Sequence, residues 1–165
     1  MQQYYGDEHY QVAEVLHDLS NTQRELNMLN DALENAKKCI SIFRKTLKEN
    51  SSGAATSLNG LGHIYLALGD PITAQTKFEE ALEVFENLQE HGFQGVSISE
   101  TLGNIAVALK QRGETEKAKE YLYNALNMIL KVYSETHPRV KKMRELEKEL
   151  ENTHENSEES DDDEL

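Results

Sequence analysis

The sequence predicts an all-α fold: an α-α superhelix of three stacked antiparallel helical hairpins, closed by a C-terminal capping helix. Three observations predict it. One order of small and large residues recurs at spacings of 42 and 44 residues. Within each copy the apolar residues follow i, i+3, i+4, i+7, which is one face of a helix. Helix-stopping and helix-starting residues fall together between the two halves of a copy.

The middle copy is the clearest, "LNGLGHIYLALGDPITAQTKFEEAL" from Leu58 to Leu82. Leu58, Leu61, Gly62 and Tyr65 mark one face of a first helix over 54–68. Ala74, Phe78, Ala81, Leu82 and Phe85 do the same for a second over 71–90. Between them Gly69 can take the left-handed C-cap conformation. Asp70 can cap the next helix, and Pro71 suits its first position. Moved forward by 44, the order falls on Leu102, Ile105, Ala106, Leu109, Gly113, Ala118, Leu122 and Ala125, giving helices over 97–112 and 115–134. Moved back by 42, it falls on Leu16, Leu19, Ser20, Gln23, Asn27, Ala32, Ala36 and Cys39, giving helices over 9–27 and 31–49. Small residues let the two helices of a hairpin approach, and large ones fill the remaining gap. "PRVKKMRELEKELEN" at 138–152 predicts a seventh helix with a narrow stripe of Val140, Met143, Leu146 and Leu150. Such a helix covers the last hairpin and keeps its outer face soluble. The organisation expected is a linker-like segment at 1–8 and a repeat array at 9–152 (hairpins about 9–49, 54–90 and 97–134, capping helix 138–152). A disordered acidic tail at 153–165 follows.

Composition narrows the function. The 165 residues suit one domain, and 38% hydrophobic residues suffice for one thin core. A net charge of −13 argues against nucleic acid and against an anionic membrane surface. No apolar stretch approaches the ~18 residues of a membrane span. The N-terminus carries no signal-peptide pattern, and a single cysteine points to a reducing compartment, so a cytoplasmic protein is expected. The stretch 151–165 holds eight acids and no Lys or Arg, which suits a solvated tail. There is no phosphate-cradling Gly-rich loop, no HExxH and no CxxC, and no two of the six histidines are spaced i, i+3 or i+4. No enzyme activity, metal or cofactor is expected. Cys39 occupies the place of the small inward Ala81, so it reads as a buried thiol.

The small–large–small order resembles the tetratricopeptide repeat, over roughly residues 10–134. Its spacings exceed the common ~34 residues and are similar to the long-repeat variety of kinesin light chains. "YYGDEHYQVAEVL" at 4–16 and "VYSETHPRVKKM" at 132–143 resemble the linker of that subfamily: Tyr, an acidic turn, His, then Val entering a helix. His9 is followed by Tyr10 instead of Pro, and "LKENSSGAATSL" lacks the linker. No heptad segment for a heavy chain is present, so motor function is not carried over.

The resemblance implies a concave groove lined by the first helix of each hairpin, where asparagines can bond an extended peptide's backbone. The positions that match are His17 and Asn21, Asn59 and His63, and Asn104 and Val107. A clamp for a C-terminal carboxylate, as in co-chaperone domains, is disfavoured. Its Lys and Arg are missing, and Glu100 stands among the matching positions. The expected function is a protein–protein interaction scaffold or adaptor that takes a partner peptide or helix in this groove. The alternative is a self-associating or regulatory assembly subunit, a possible homo-oligomer through its open N-terminal end. A fragment of a longer repeat protein, such as a kinesin-light-chain-like cargo adaptor, fits equally.

Overall fold

The structure, a computed structural model, describes residues 9–46, 51–89 and 95–158. Its helices in order are α1 (Tyr10–Glu25), α2 (Leu29–Thr46), α3 (Ser52–Ala67), α4 (Pro71–Gln89), α5 (Gly95–Gln111), α6 (Thr115–Ile129) and α7 (Pro138–Glu158). Among the described residues there is no strand. The all-α class and the three hairpins with a helix on the last are as the sequence predicts. The chain divides into two compact units, Met1–Gln94 and Gly95–Leu165. The first holds the hairpins α1/α2 and α3/α4, with α3 against α2. The second holds the hairpin α5/α6, with α7 against both helices.

Each hairpin turns in the same way. Asn27, Gly69 and Gly113 occupy one repeat position, and all three are left-handed, with φ of 60°, 77° and 77°. The next residue's amide then reaches back five residues: Met28 N to Gln23 O (2.8 Å), Asp70 N to Tyr65 O (2.9 Å), Glu114 N to Leu109 O (3.0 Å). This is the Schellman closure, which satisfies carbonyls that the helix end would orphan. Asn tolerates the left-handed region better than other side-chain-bearing residues. Asp70 then accepts from Thr73 N at 3.0 Å, and Pro71 opens α4. Those bonds from Thr73 hold the Asp70 carboxyl below its ordinary range. Glu114 makes no such cap and pairs instead with Arg112 and Lys117, both at 2.6 Å.

The two linker histidines share one job. His9 Nδ1 accepts from Gln11 N and His137 Nδ1 accepts from Arg139 N, each at 3.3 Å, so each ring caps the helix that follows it. His137 is stacked on Tyr133 at 3.8 Å. Reaching that stack makes α6 end at Ile129, short of the expected 134. Val132 N and Tyr133 N fold back onto Ile129 O at 3.0 and 2.9 Å. At the other end, α7 runs to Glu158 instead of 152, with no Gly or Pro after Pro138 to stop it. The linker-like segment 1–8 and residues 159–165 of the acidic tail lie outside the described residues.

Helix spacing within a hairpin follows one pair of positions. A Cβ on Gly62 would lie 2.4 Å from Cε1 of Phe78, which is fully buried. The large ring therefore requires the glycine. The equivalent pair is Ala106 with Leu122 in the third copy and Ser20 with Ala36 in the first, all six buried. Where the first helix gains atoms, the second loses them. A neighbouring pair shows how near the backbones come. Cys39 Sγ donates to Ala13 O (3.0 Å), and at the same repeat positions Ser99 Oγ donates to Ala125 O (2.8 Å) with the donor on the opposite helix.

Leu19 departs from its expected core place. Its counterparts Leu61 and Ile105 are buried, but Leu19 is 43% exposed. Leu61 sits beside Ile40 of α2 from the preceding hairpin, and no described hairpin precedes α1. The α7 stripe of Val140, Met143, Leu146 and Leu150 is buried in the second unit.

The 62/78 pair yields a direct expectation. Gly62→Ala loses about 1–2 kcal/mol in urea unfolding, because overpacking outweighs the helix propensity gained. Adding Phe78→Leu, which copies the third hairpin's pair, recovers stability relative to Phe78→Leu alone with Gly62 kept.

Candidate protein-interaction site

In the first unit α3 separates two faces. Leu58, Leu61 and Tyr65 lie toward α2. Gly60 lies toward α1, and His63 lies against Phe78 of α4. His17 and Asn21 come up against Gly60. A Cβ on Gly60 would be 3.4 Å from Asn21 Oδ1 and 3.5 Å from His17 Cε1. Four of the six residues singled out from sequence therefore belong to one unit, on α1 and α3.

Two of them bond inward. Asn21 Nδ2 lies 3.0 Å from His17 Nε2, and His17 Nδ1 lies 3.3 Å from Ser57 Oγ. Ser57 Oγ is 3.2 Å from Cys39 Sγ, which reaches Ala13 O. One set of proton positions satisfies every bond: the Asn21 amide donates to Nε2, the Nδ1 hydrogen to Ser57, the Ser57 hydroxyl to Cys39, and the thiol to the Ala13 carbonyl. The chain of donors runs from a half-buried amide to a fully buried thiol. It needs a neutral His17. Burial lowers this histidine's pKa, opposed only in part by Asp18. Burial likewise raises the pKa of Cys39. A thiol held protonated and 0% exposed is no nucleophile.

His63 is half-buried, with its ring edge-on to Phe78 at 5.2 Å, so it closes the hairpin over the same phenylalanine that Gly62 admits. Asn59 is half-buried on the same helix. In the second unit Asn104 and Val107 are half-buried on α5. Beside them Gly103 receives Met143 of α7, whose Cε would be 3.3 Å from an added Cβ. Glu100 pairs with Arg139 at 2.6 Å, and Arg139 also donates to the Tyr133 hydroxyl at 3.2 Å. Arg144 pairs with Glu135 and Glu147, each at 2.8 Å. Among the described residues no group of three His, Cys, Asp or Glu could hold a metal ion.

Sequence reasoning missed Ser57, whose role depends on a side chain 40 residues away. It also missed the cleft between α2 and α4, lined by Lys37, Arg44, Lys45, Lys77 and Glu80. The available signal was the spacing of Lys37, Arg44 and Lys45, which share one face of α2.

The histidine bond chain has a pH signature. A folded pKa below the ordinary 6.5 means that the folded state binds fewer protons. The stability this gives is complete above 6.5 and is lost as pH falls through the lower folded value. Urea midpoints from about pH 8 to pH 5 should decline more steeply for the wild type than for His17→Asn. Parallel curves would refute the buried neutral ring.

The comparisons with known proteins agree with the geometry. Family models of the tetratricopeptide repeat match residues 29–87 and 99–139, together more than half of the chain. No curated protein matches the sequence. Among solved structures, the chain is similar to BtubC (BKLC) from P. vanneervenii, with a TM-score of 0.71 at 25% identity over 78% of this chain and 51% of that one. It is also similar to a putative kinesin light chain of Podosopora anserina with nearly identical TPR-like repeats, with a TM-score of 0.70 at 19% identity over 82% and 63%. The N-terminal domain of stress-induced protein-1 from C. elegans gives 0.60 at 18% identity over 84% and 96%. The chain spans about half the length of the first and under two thirds of the second. Likeness at 18–19% identity is a likeness of fold. The chain belongs to the tetratricopeptide-repeat family.

Proposed function

We propose that this protein is an interaction scaffold or adaptor whose first-helix faces bind a peptide or helix of a partner protein. The family is typically a non-catalytic scaffold for protein contacts. The observation that carries the reading is that His17 and Asn21 of α1 lie against Gly60 of α3, the helix that also carries the half-buried Asn59 and His63. Asn104 and Val107 offer the equivalent face of α5. Half-buried amides can bond an extended backbone once flanking apolar contacts exclude water. His17 and Asn21 bond one another, and Asn59, His63 and Asn104 are further candidates for direct contact. A single cysteine, buried and reduced, supports a cytoplasmic setting.

A second reading rests on α1. Val15 (66% exposed), Leu19 (43%) and Leu26 (66%) are spaced four and seven apart and form one stripe on its outer face. That stripe would suit a second copy or another repeat as its cover.

One experiment separates the two. A peptide-display selection on the full chain should enrich a motif that Asn59→Glu and Asn104→Glu abolish, with helical content unchanged by circular dichroism. Failure to enrich, together with sedimentation showing oligomers that Val15→Glu dissolves, would replace the adaptor reading with self-assembly.

A further inference from the structure

The bonds from Asn21 to Ala13 have a direction, and that direction is set at the buried end. The Ala13 carbonyl can only accept, so the Cys39 thiol donates to it at 3.0 Å. Cys39 Sγ then accepts from the Ser57 hydroxyl at 3.2 Å, and Ser57 Oγ accepts from a hydrogen on His17 Nδ1 at 3.3 Å. A neutral imidazole carries one such hydrogen, so its Nε2 is bare and accepts from Asn21 Nδ2 at 3.0 Å. That bond turns the other end of the amide, Oδ1, toward Gly60 of α3. A fully buried carbonyl group thereby decides which end of a half-buried asparagine points at the next hairpin.

A proton on His17 reverses this. Imidazolium holds hydrogens on both nitrogens and accepts at neither. Nδ1 keeps its bond to Ser57, but Nε2 then faces the Asn21 NH2 group donor to donor. A half-turn of the amide about its last bond brings Oδ1 to Nε2 and carries NH2 toward Gly60. The surrounding elements do not hold the charged ring in advance. Helix α3 contains no Asp, Glu, Lys or Arg, and its histidine, His63, lies against Phe78. Helix α2 meets the bonds with Cys39, whose thiol burial keeps protonated. On α1 itself Asp18 favours the charged ring, less strongly than burial opposes it.

We propose that His17 is a proton-operated switch of hydrogen-bond polarity: neutral, it makes Asn21 present an acceptor toward α3, and charged, a donor. The switch is built into the two hairpins and stands apart from the adaptor reading. A partner group bonded to Asn21 would have to donate above the transition and accept below it. Imidazole makes the exchange accessible between about pH 5 and 8, and burial places it below the ordinary 6.5.

The test is nuclear magnetic resonance on the full chain labelled with ¹⁵N. At about pH 8 the His17 ring should be the Nδ1–H tautomer, and the Asn21 NH2 hydrogens should show Overhauser contacts to that ring. As the ring titrates, those contacts should pass to the α-hydrogens of Gly60, on the same curve as the ring nitrogen shifts. Ser57→Ala removes the acceptor that fixes Nδ1–H, so the preference for that tautomer should fall about fivefold or more. In His17→Phe, which has no ring nitrogen, the Asn21 contacts should not change with pH. An Nε2–H tautomer at about pH 8, or a ring still neutral at about pH 5, overturns the proposal. So does a ring that titrates while the Asn21 NH2 hydrogens stay against it.

Discussion

Among the described glycines, Gly62 has the least room for a side chain, and it faces the other helix of its own hairpin. Gly62 leaves no room for a Cβ because the Phe78 ring already lies where it would stand. Helix spacing is thus set by a pair of volumes, one on each helix. The three copies solve the same problem with Ser20 and Ala36, Gly62 and Phe78, and Ala106 and Leu122. Cores near close-packed density feel a change of one methylene, so the pair is a constraint on sequence and not a preference. The hydrogen bonds from Cys39 to Ala13 O and from Ser99 to Ala125 O become possible because the backbones come this near.

That constraint also sets which way the other residues of α3 face. With its small residue turned toward the second helix, α3 presents Gly60 toward α1, and Leu58, Leu61 and Tyr65 toward α2. One helix therefore serves two surfaces of different chemistry. The first is neutral and rich in amides. The second is lined by charged side chains above an apolar floor. Rigid helices hold both, so a partner would bind without ordering much of the protein, which limits the entropic cost of recognition. Within the first surface, the bonds from Asn21 through His17 and Ser57 to Cys39 fix a ring that would otherwise rotate.

Much of this was legible in the sequence because it is local or periodic. The turn at Gly69 and Gly113 follows from glycine's freedom at positive φ, and Asn27 at the same register marks the weaker first copy as a true repeat. The α7 stripe follows from its spacing. Other features were not legible, because they depend on chain segments that meet only after folding. Leu19 matches the core pattern, yet it is exposed, since periodicity names a face and not the neighbour that covers it. The early end of α6 depends on the Tyr133–His137 stack. The polar groups of His17 and Asn21 looked available for a ligand, but the structure commits them to each other and to Ser57. The cleft between α2 and α4 draws on two helices, and neither alone stands out in an acidic chain.

The volume pair is best examined where it was not first seen, in the second unit. Leu122→Phe installs the larger ring opposite Ala106, and Ala106→Gly removes the Cβ that would meet it. Urea unfolding should show Leu122→Phe to be destabilising by about 1–3 kcal/mol. The double substitution should then be more stable than the sum of the two single effects, a coupling above about 0.5 kcal/mol. Additive effects, or a Leu122→Phe variant as stable as the wild type, would mean that hairpin spacing is set elsewhere and that the pairing of small and large residues across the copies is incidental.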